Sequence, residues 1–143
     1  MGRILAIDFG RKRVGLAVTD PLQIIANGLE TVPTAMIMDF LKNYFEKENV
    51  ELMVIGYPKQ MNNTPSEAVP FIDEFIRNFK KKFPDMKYCL MDERFTSKMA
   101  SATMIAGGLK KMKRQDKGMI DKISATIILQ SYLEMRDNTS NFR

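Results

Sequence analysis

The sequence predicts an α/β fold, a mixed five-stranded sheet with helices on both faces. Two observations carry this expectation. Two apolar runs, Ile4–Ile7 and Val14–Val18, answer each other across a short turn, which marks an antiparallel hairpin near the start of the chain. Beyond it, apolar runs short enough for strands alternate with longer segments of helical periodicity, which marks βα units and parallel pairing. The expected order is βββαβαβαα, in a single domain over residues 1–143.

Arg3 to Asp8 and Arg13 to Thr19 read as strands joined at Gly10-Arg11-Lys12. Gln23 to Val32 reads as a third strand, in which Asn27-Gly28 signals a bulge or turn. Thr34 is placed to cap a helix, because Met36, Ile37, Phe40, Leu41, Tyr44 and Phe45 follow at helical spacing. Val50 to Ile55 is a short buried strand stopped by Gly56-Tyr57-Pro58. Thr64-Pro65-Ser66-Glu67 supplies a cap, a first-turn proline and the glutamate of a capping box. Val69, Ile72, Phe75, Ile76, Phe79 and Phe83 then give that helix one apolar stripe, and Pro84-Asp85 ends it. Met86 to Met91 is the fifth strand. Thr96 or Ser97 caps a further helix that stops at Gly107-Gly108. The last helix runs from about Gly118 to Met135, with Asp121, Ala125, Ile128 and Tyr132 on one face.

Of the 143 residues 45% are apolar and 27% charged, the makeup of an ordinary globular domain. The 22 basic and 17 acidic side chains leave a net charge of +5, which favours a polyanionic partner. Bases concentrate at Arg11-Lys12-Arg13, at Lys80-Lys81-Lys82 and over residues 110–117. In that last stretch Lys110, Lys111, Lys113, Arg114 and Lys117 accompany one acid. The single Cys89 allows no intramolecular disulfide and reads as a core residue. No apolar run reaches membrane-spanning length, and Asp8 interrupts any secretory apolar core. The expected location is the cytoplasm, with no membrane partner.

Histidine is absent, so imidazole chemistry has no place and thiolate chemistry almost none. Carboxylates working with a hard, oxygen-preferring metal remain. Asp8 ends an apolar strand, Glu93 follows the fifth strand within Asp92-Glu93-Arg94, and Asp121 interrupts the apolar start of the last helix. Each has a plainer reading. Asp8 could bond the backbone around Gly10, Arg94 could neutralise a surface cluster, and Asp121 could sit favourably on the helix dipole. A buried carboxylate is nonetheless costly unless paired or bound to metal. Together the three can converge on one point. There, two divalent ions about 4 Å apart would activate a water and stabilise the leaving oxygen of a phosphodiester. Arg11, Lys12, Arg13, Arg94 and the five bases of 110–117 would hold backbone phosphates.

These residues resemble a known family, the ribonuclease H-like, RuvC-type proteins of the YqgF type, regarded as Holliday junction resolvases or as pre-16S ribosomal RNA nucleases. The matching segments are Ile7-Asp8-Phe9-Gly10-Arg11-Lys12-Arg13-Val14-Gly15-Leu16-Ala17, Val54-Ile55-Gly56-Tyr57-Pro58, Asp92-Glu93-Arg94-Phe95-Thr96-Ser97 and the stretch from Asp121 to Gln130. They run in family order over nearly the whole chain. The resemblance implies a ribonuclease H-like fold, Asp8, Glu93 and Asp121 as metal-binding catalytic acids, and Mg2+ or Mn2+ in a two-metal site. Two positions depart from the pattern. Tyr57 stands where a small aliphatic residue is usual, and Ser124 where alanine is common.

The implied activity is phosphodiester hydrolysis, in 5′-end processing of pre-16S ribosomal RNA or, alternatively, in resolving branched DNA. Ribosomal precursor particles are further expected partners. A symmetric resolvase needs a dimer and an RNA-trimming enzyme does not, so monomer and weak dimer both stand. Actin-like ATPases and sugar kinases open on a similar Asp-x-Gly turn, but they need a second lobe and a second phosphate loop. A non-catalytic nucleic-acid or ribosome-binding module would use the same bases without needing all three acids.

Overall fold

The computed structural model describes residues 2–57, 69–92 and 117–141, with side chains of the last helix described over 122–137. Five strands form one sheet: β1 (Arg3–Phe9), β2 (Arg13–Thr19), β3 (Ala26–Pro33), β4 (Val50–Tyr57) and β5 (Tyr88–Asp92). Their order across the sheet is β3-β2-β1-β4-β5. β2 pairs antiparallel with both β1 and β3, while β4 pairs parallel with both β1 and β5, so the sheet is mixed as expected. A single 3-10 turn, Thr34–Met36, leads into helix α1 (Ile37–Lys47); α2 spans Val69–Lys82 and α3 spans Lys117–Asn141. The helix start expected at Thr64-Pro65, the helix after Thr96 and the basic stretch up to residue 116 lie outside the described residues.

Strand alternation divides the core in two. Leu5, Ile7, Val14, Leu16, Met53 and Ile55 face α1 and α2, where they meet Leu41, Ile72, Phe75 and Phe79. Ile4, Ala6, Ala17, Val54 and Met91 face the other way, against Ala125, Ile128, Leu129 and Leu133 of α3. The expected helices on both faces are therefore present. The two layers differ in bulk. Aromatic rings fill the first, with the Phe79 ring centroid 6.0 Å from that of Phe75 and 5.4 Å from that of Phe83. Alanines on both sides of the second let α3 lie close to the strands.

Contacts at its two ends fix the direction of α3. A Cβ placed on Gly28 would stand 3.5 Å from Thr126 Oγ1 and 3.6 Å from Lys122 Cβ. Gly28 is level with Ala17 and, through it, with Ala6. Further along α3, Arg136 donates from Nη1 to Gln23 Oε1 at 2.8 Å and from Nη2 to Gln23 O at 3.1 Å, beyond the amino end of β1. α3 thus runs opposite to β1, with its N-terminal end toward the carboxyl end of that strand.

The amino edge of the sheet is tied by polar side chains from distant parts of the chain. The Gln23 amide donates to Gly2 O at 2.7 Å and also to Glu51 Oε1, while Gly2 N donates to Glu51 Oε2 at 3.3 Å. These bonds, that from Gln23 foremost, hold the Glu51 carboxyl below its ordinary range. Arg3 Nη1 donates to Thr19 O at 2.9 Å, and Thr19 Oγ1 accepts Ile4 N at 2.9 Å.

Two strand starts differ from expectation, each for a local reason. β3 begins at Ala26 rather than Gln23, because Gln23 adopts φ 60° in a loop wound around Asp20. The Asp20 Oδ1 accepts Ile24 N and Ile25 N at 2.8 Å each, and these bonds lower its pKa. The signal at Asn27-Gly28 is a bulge: pairing steps from Leu16↔Glu30 to Ala17↔Gly28 and leaves Leu29 unmatched. β5 begins at Tyr88 because the turn out of α2 continues to Met86, whose N–H bonds Phe83 O at 3.1 Å.

Candidate functional site

β1, β4 and β5 run parallel, so their carboxyl ends share one edge, where ligand crevices of open α/β sheets form. Asp8 lies at that edge and is half-buried. Ile4 and Ala6 point toward α3, so the two-residue period puts Asp8 on the α3 face. Phe9 takes the opposite face and packs on Phe75, with ring centroids 4.9 Å apart.

The lateral neighbours of Asp8 are glycines. Gly15 is its partner on β2. On the other side Gly56 follows Ile55, the partner of Ile7, and Gly56 itself pairs with Met91 of β5. No side chain from either neighbouring strand flanks this carboxylate. Glycine inside a strand commonly marks the close approach of a ligand or another backbone. From the sequence alone Gly56 reads only as a strand stop, and Gly15 takes no role. The available signal was an isolated glycine within each apolar strand pattern.

Position 121 lies near the start of α3, at the end of the helix directed toward this edge and on the face of the sheet that Asp8 shares. The structure therefore brings Asp8 and the backbone of Asp121 to one side of one edge. The Asp121 side chain, Glu93 and Arg94 lie outside what is described. The chain reaches the same edge at Asp92, paired with Tyr57, and the last α3-facing residue of β5 is Met91. Among the described residues no three His, Cys, Asp or Glu side chains gather.

The basic hairpin is held firmly beside Asp8. A Cβ on Gly10 would fall 2.5 Å from Arg13 O, so this turn requires glycine. Thr34 N donates to Lys12 O at 3.0 Å and Thr34 Oγ1 donates to Gly10 O at 2.6 Å. The Thr34 hydroxyl thus ties the turn down instead of capping the helix as expected. Lys12 is exposed and Arg13 half-buried; Arg11 is exposed, its guanidinium 4.6 Å from the Phe71 ring centroid. Lys80 reaches over Tyr88 at the start of β5, 5.4 Å from its ring centroid, so the Lys80-Lys81-Lys82 cluster belongs to the far edge. Lys110, Lys111, Lys113 and Arg114 lie outside the described residues, as does the side chain of Lys117 at the start of α3.

Tyr57 acquires a physical role. Its hydroxyl donates to Asp73 Oδ1 at 3.0 Å, joining the carboxyl end of β4 to α2. Burial and then that bond push the phenol pKa up. Cys89 is half-buried against the α3 layer, and burial raises its thiol pKa, in keeping with a core residue.

Comparison with known proteins adds a second kind of observation. The family described as RuvX, Holliday junction resolvase, matches residues 2–135. A protein of Flavobacterium johnsoniae named "Putative pre-16S rRNA nuclease" is 59% identical over 136 residues, covering 95% of this chain and 99% of that relative. Similar relatives with the same name occur in Bacteroides fragilis, 58% identical over 95% of this chain and 99% of its own length, and in Parabacteroides distasonis, 53% identical over 95% and 97%.

Proposed function

The chain belongs to the RuvX Holliday junction resolvase family, and from that premise we propose that it is a metal-dependent nuclease whose substrate is precursor 16S ribosomal RNA. The observation that carries this reading is Asp8, set between Gly15 and Gly56 on the edge and face toward which the start of α3 is directed. Carboxylate oxygens of Asp8, Glu93 and Asp121 would hold Mg2+ or Mn2+. An all-oxygen donor set in a chain without histidine suits a hard cation. When bound, the metal would supply charge stabilisation and a more acidic water for phosphodiester hydrolysis.

The rest of the work falls to the chain itself. Lys12 and Arg13, on a turn fixed by Thr34, hold phosphates flanking the cleaved one. The glycines beside Asp8 let the backbone of the nucleic acid approach. Lys110, Lys111, Lys113, Arg114 and Lys117 precede or open the helix of Asp121 and add further phosphate contacts, as does Arg94 beside Glu93. The reaction belongs in the cytoplasm, on ribosomal precursor particles; no helix among the described residues is long and apolar enough to cross a membrane.

The names of the relatives favour RNA, and the family description favours branched DNA as the second reading. One incubation with Mg2+ of a precursor 16S fragment and a four-way DNA junction separates them. The RNA is expected to be cut and the junction left intact. The reverse preference would replace the RNA assignment with resolvase activity. Two untouched substrates would sink the nuclease reading altogether.

A further inference from the structure

At the Asp8 edge, but on the opposite face of the sheet, lies a cleft of about 230 Å3 whose lining includes Phe9, Arg11, Phe71, Glu74, Phe75 and Asn78. We propose that it is a stacking subsite for one unpaired base of the RNA whose backbone passes Asp8; this rests on the nuclease reading.

The floor is aromatic, made by the Phe9 and Phe75 rings. Phe71 forms a wall and remains 40% exposed, an apolar surface left open to water. The Arg11 guanidinium lies over that ring, a planar cation positioned to stack on a base or to meet its phosphate. Phe71, Glu74 and Asn78 are three and four residues apart on α2, so they share one helix face. Glu74 and Asn78 are exposed on it and offer a carboxylate acceptor and an amide to a base edge. An aromatic floor, a cationic mouth and a polar rim suit a nucleobase, whose flat faces are apolar and whose edge is polar. Phe9 directly follows Asp8, so a base in the cleft and a phosphate at Asp8 would belong to nearby nucleotides. The sequence conceals this site because its residues come from the hairpin, from the turn into α1 and its first residues, and from α2.

The test uses the Asp8→Asn protein, so that binding is read without cleavage, and a single-stranded RNA made abasic at one position at a time. One position is expected where loss of the base weakens binding roughly fivefold to a hundredfold, the range of base–aromatic stacking. Phe71→Ala and Phe71→Leu should erase the difference at that position, while Phe71→Tyr keeps it. Melting curves of all three check that they fold. If Phe71→Ala and Phe71→Leu leave the abasic sensitivity in place, or no position shows any, the subsite is wrong. A flat scan in the Asp8→Asn protein, alongside cleavage of the intact RNA by the wild-type protein, overturns the subsite alone, whereas failure to bind any of the RNAs overturns the nuclease reading with it.

Discussion

At the amino edge of the sheet, polar side chains from distant parts of the chain bond to one another: Gln23 to Gly2 and Glu51, Arg136 to Gln23, Arg3 to Thr19. At the carboxyl edge Asp8 stands between two glycines, with Arg11 and Lys12 exposed beside it. The same sheet thus uses its charged and polar groups in two ways. At one edge they close the fold by joining the start of the chain, the β2–β3 loop and α3. At the other, the backbone is fixed by Thr34 and Gly10 while cations remain open to solvent. A group bonded within the protein is desolvated and costly to strand, whereas an exposed cation can exchange water for phosphate with little cost to the fold.

Exchanging a lesion at one edge for a lesion at the other is the strongest challenge to this contrast. Asp8→Asn should lower cleavage by more than about 100-fold, since disturbing even a partner of a metal ligand can cost that much. Gln23→Ala should do the reverse. It strands the buried Gly2 carbonyl and removes part-buried bonds to Glu51 and Arg136, lowering stability by about 1–3 kcal/mol with turnover per folded molecule retained. Melting curves and single-turnover rates on both variants check the pair. A Gln23→Ala protein that is folded but as inactive as Asp8→Asn would erase the distinction between the edges.

Replacing Lys110, Lys111, Lys113 and Arg114 by alanine should weaken binding without touching the acids. Each lost phosphate contact should reduce the log–log salt slope by about 0.7 to 0.9, while turnover at saturating substrate falls much less than affinity. Equal slopes in a salt titration would return this stretch to a solvated charge run. Tyr57→Phe removes one part-buried hydrogen bond to Asp73 and should cost about 1 kcal/mol in denaturant unfolding.

The smallest effect expected is one of pH. Glu51 titrates below its ordinary 4.5 in the folded state, so its contribution to stability is full above that value. It is lost as pH falls through the lower folded pKa. Asp20 behaves likewise from its ordinary 3.8. Glu51→Gln should make the fall in melting temperature below pH 4.5 shallower, leaving the part due to Asp20. An unchanged acid limb would remove Glu51 from the closure of the amino edge.

The hairpin, the strand cores and the helical stripes were legible in the sequence because each depends on local periodicity. Asp8 was legible because a charge at the end of an apolar run contradicts its surroundings. What escaped depends on pairing between distant segments. The placement of Gly15 and Gly56 beside Asp8 follows from the β1–β2 and β1–β4 registers, which no single segment encodes. Thr34 looks like a helix cap until the hairpin turn lies beside it, and Gln23 looks like strand until Glu51 and Arg136 hold its side chain. Phe71 and Arg11 are separated by most of the first half of the chain and meet only through the packing of α2 on the sheet.

If Asp8, Glu93 and Asp121 serve one metal site, their losses must overlap instead of adding. The direct measurement is single-turnover cleavage of the precursor 16S fragment in Mg2+ by Asp8→Asn, Glu93→Gln, Asp121→Asn and the double variant Asp8→Asn/Asp121→Asn. Groups that act as a unit are expected to show each single variant almost as impaired as the double. Wild-type cleavage by any one of the three single variants would contradict the shared site.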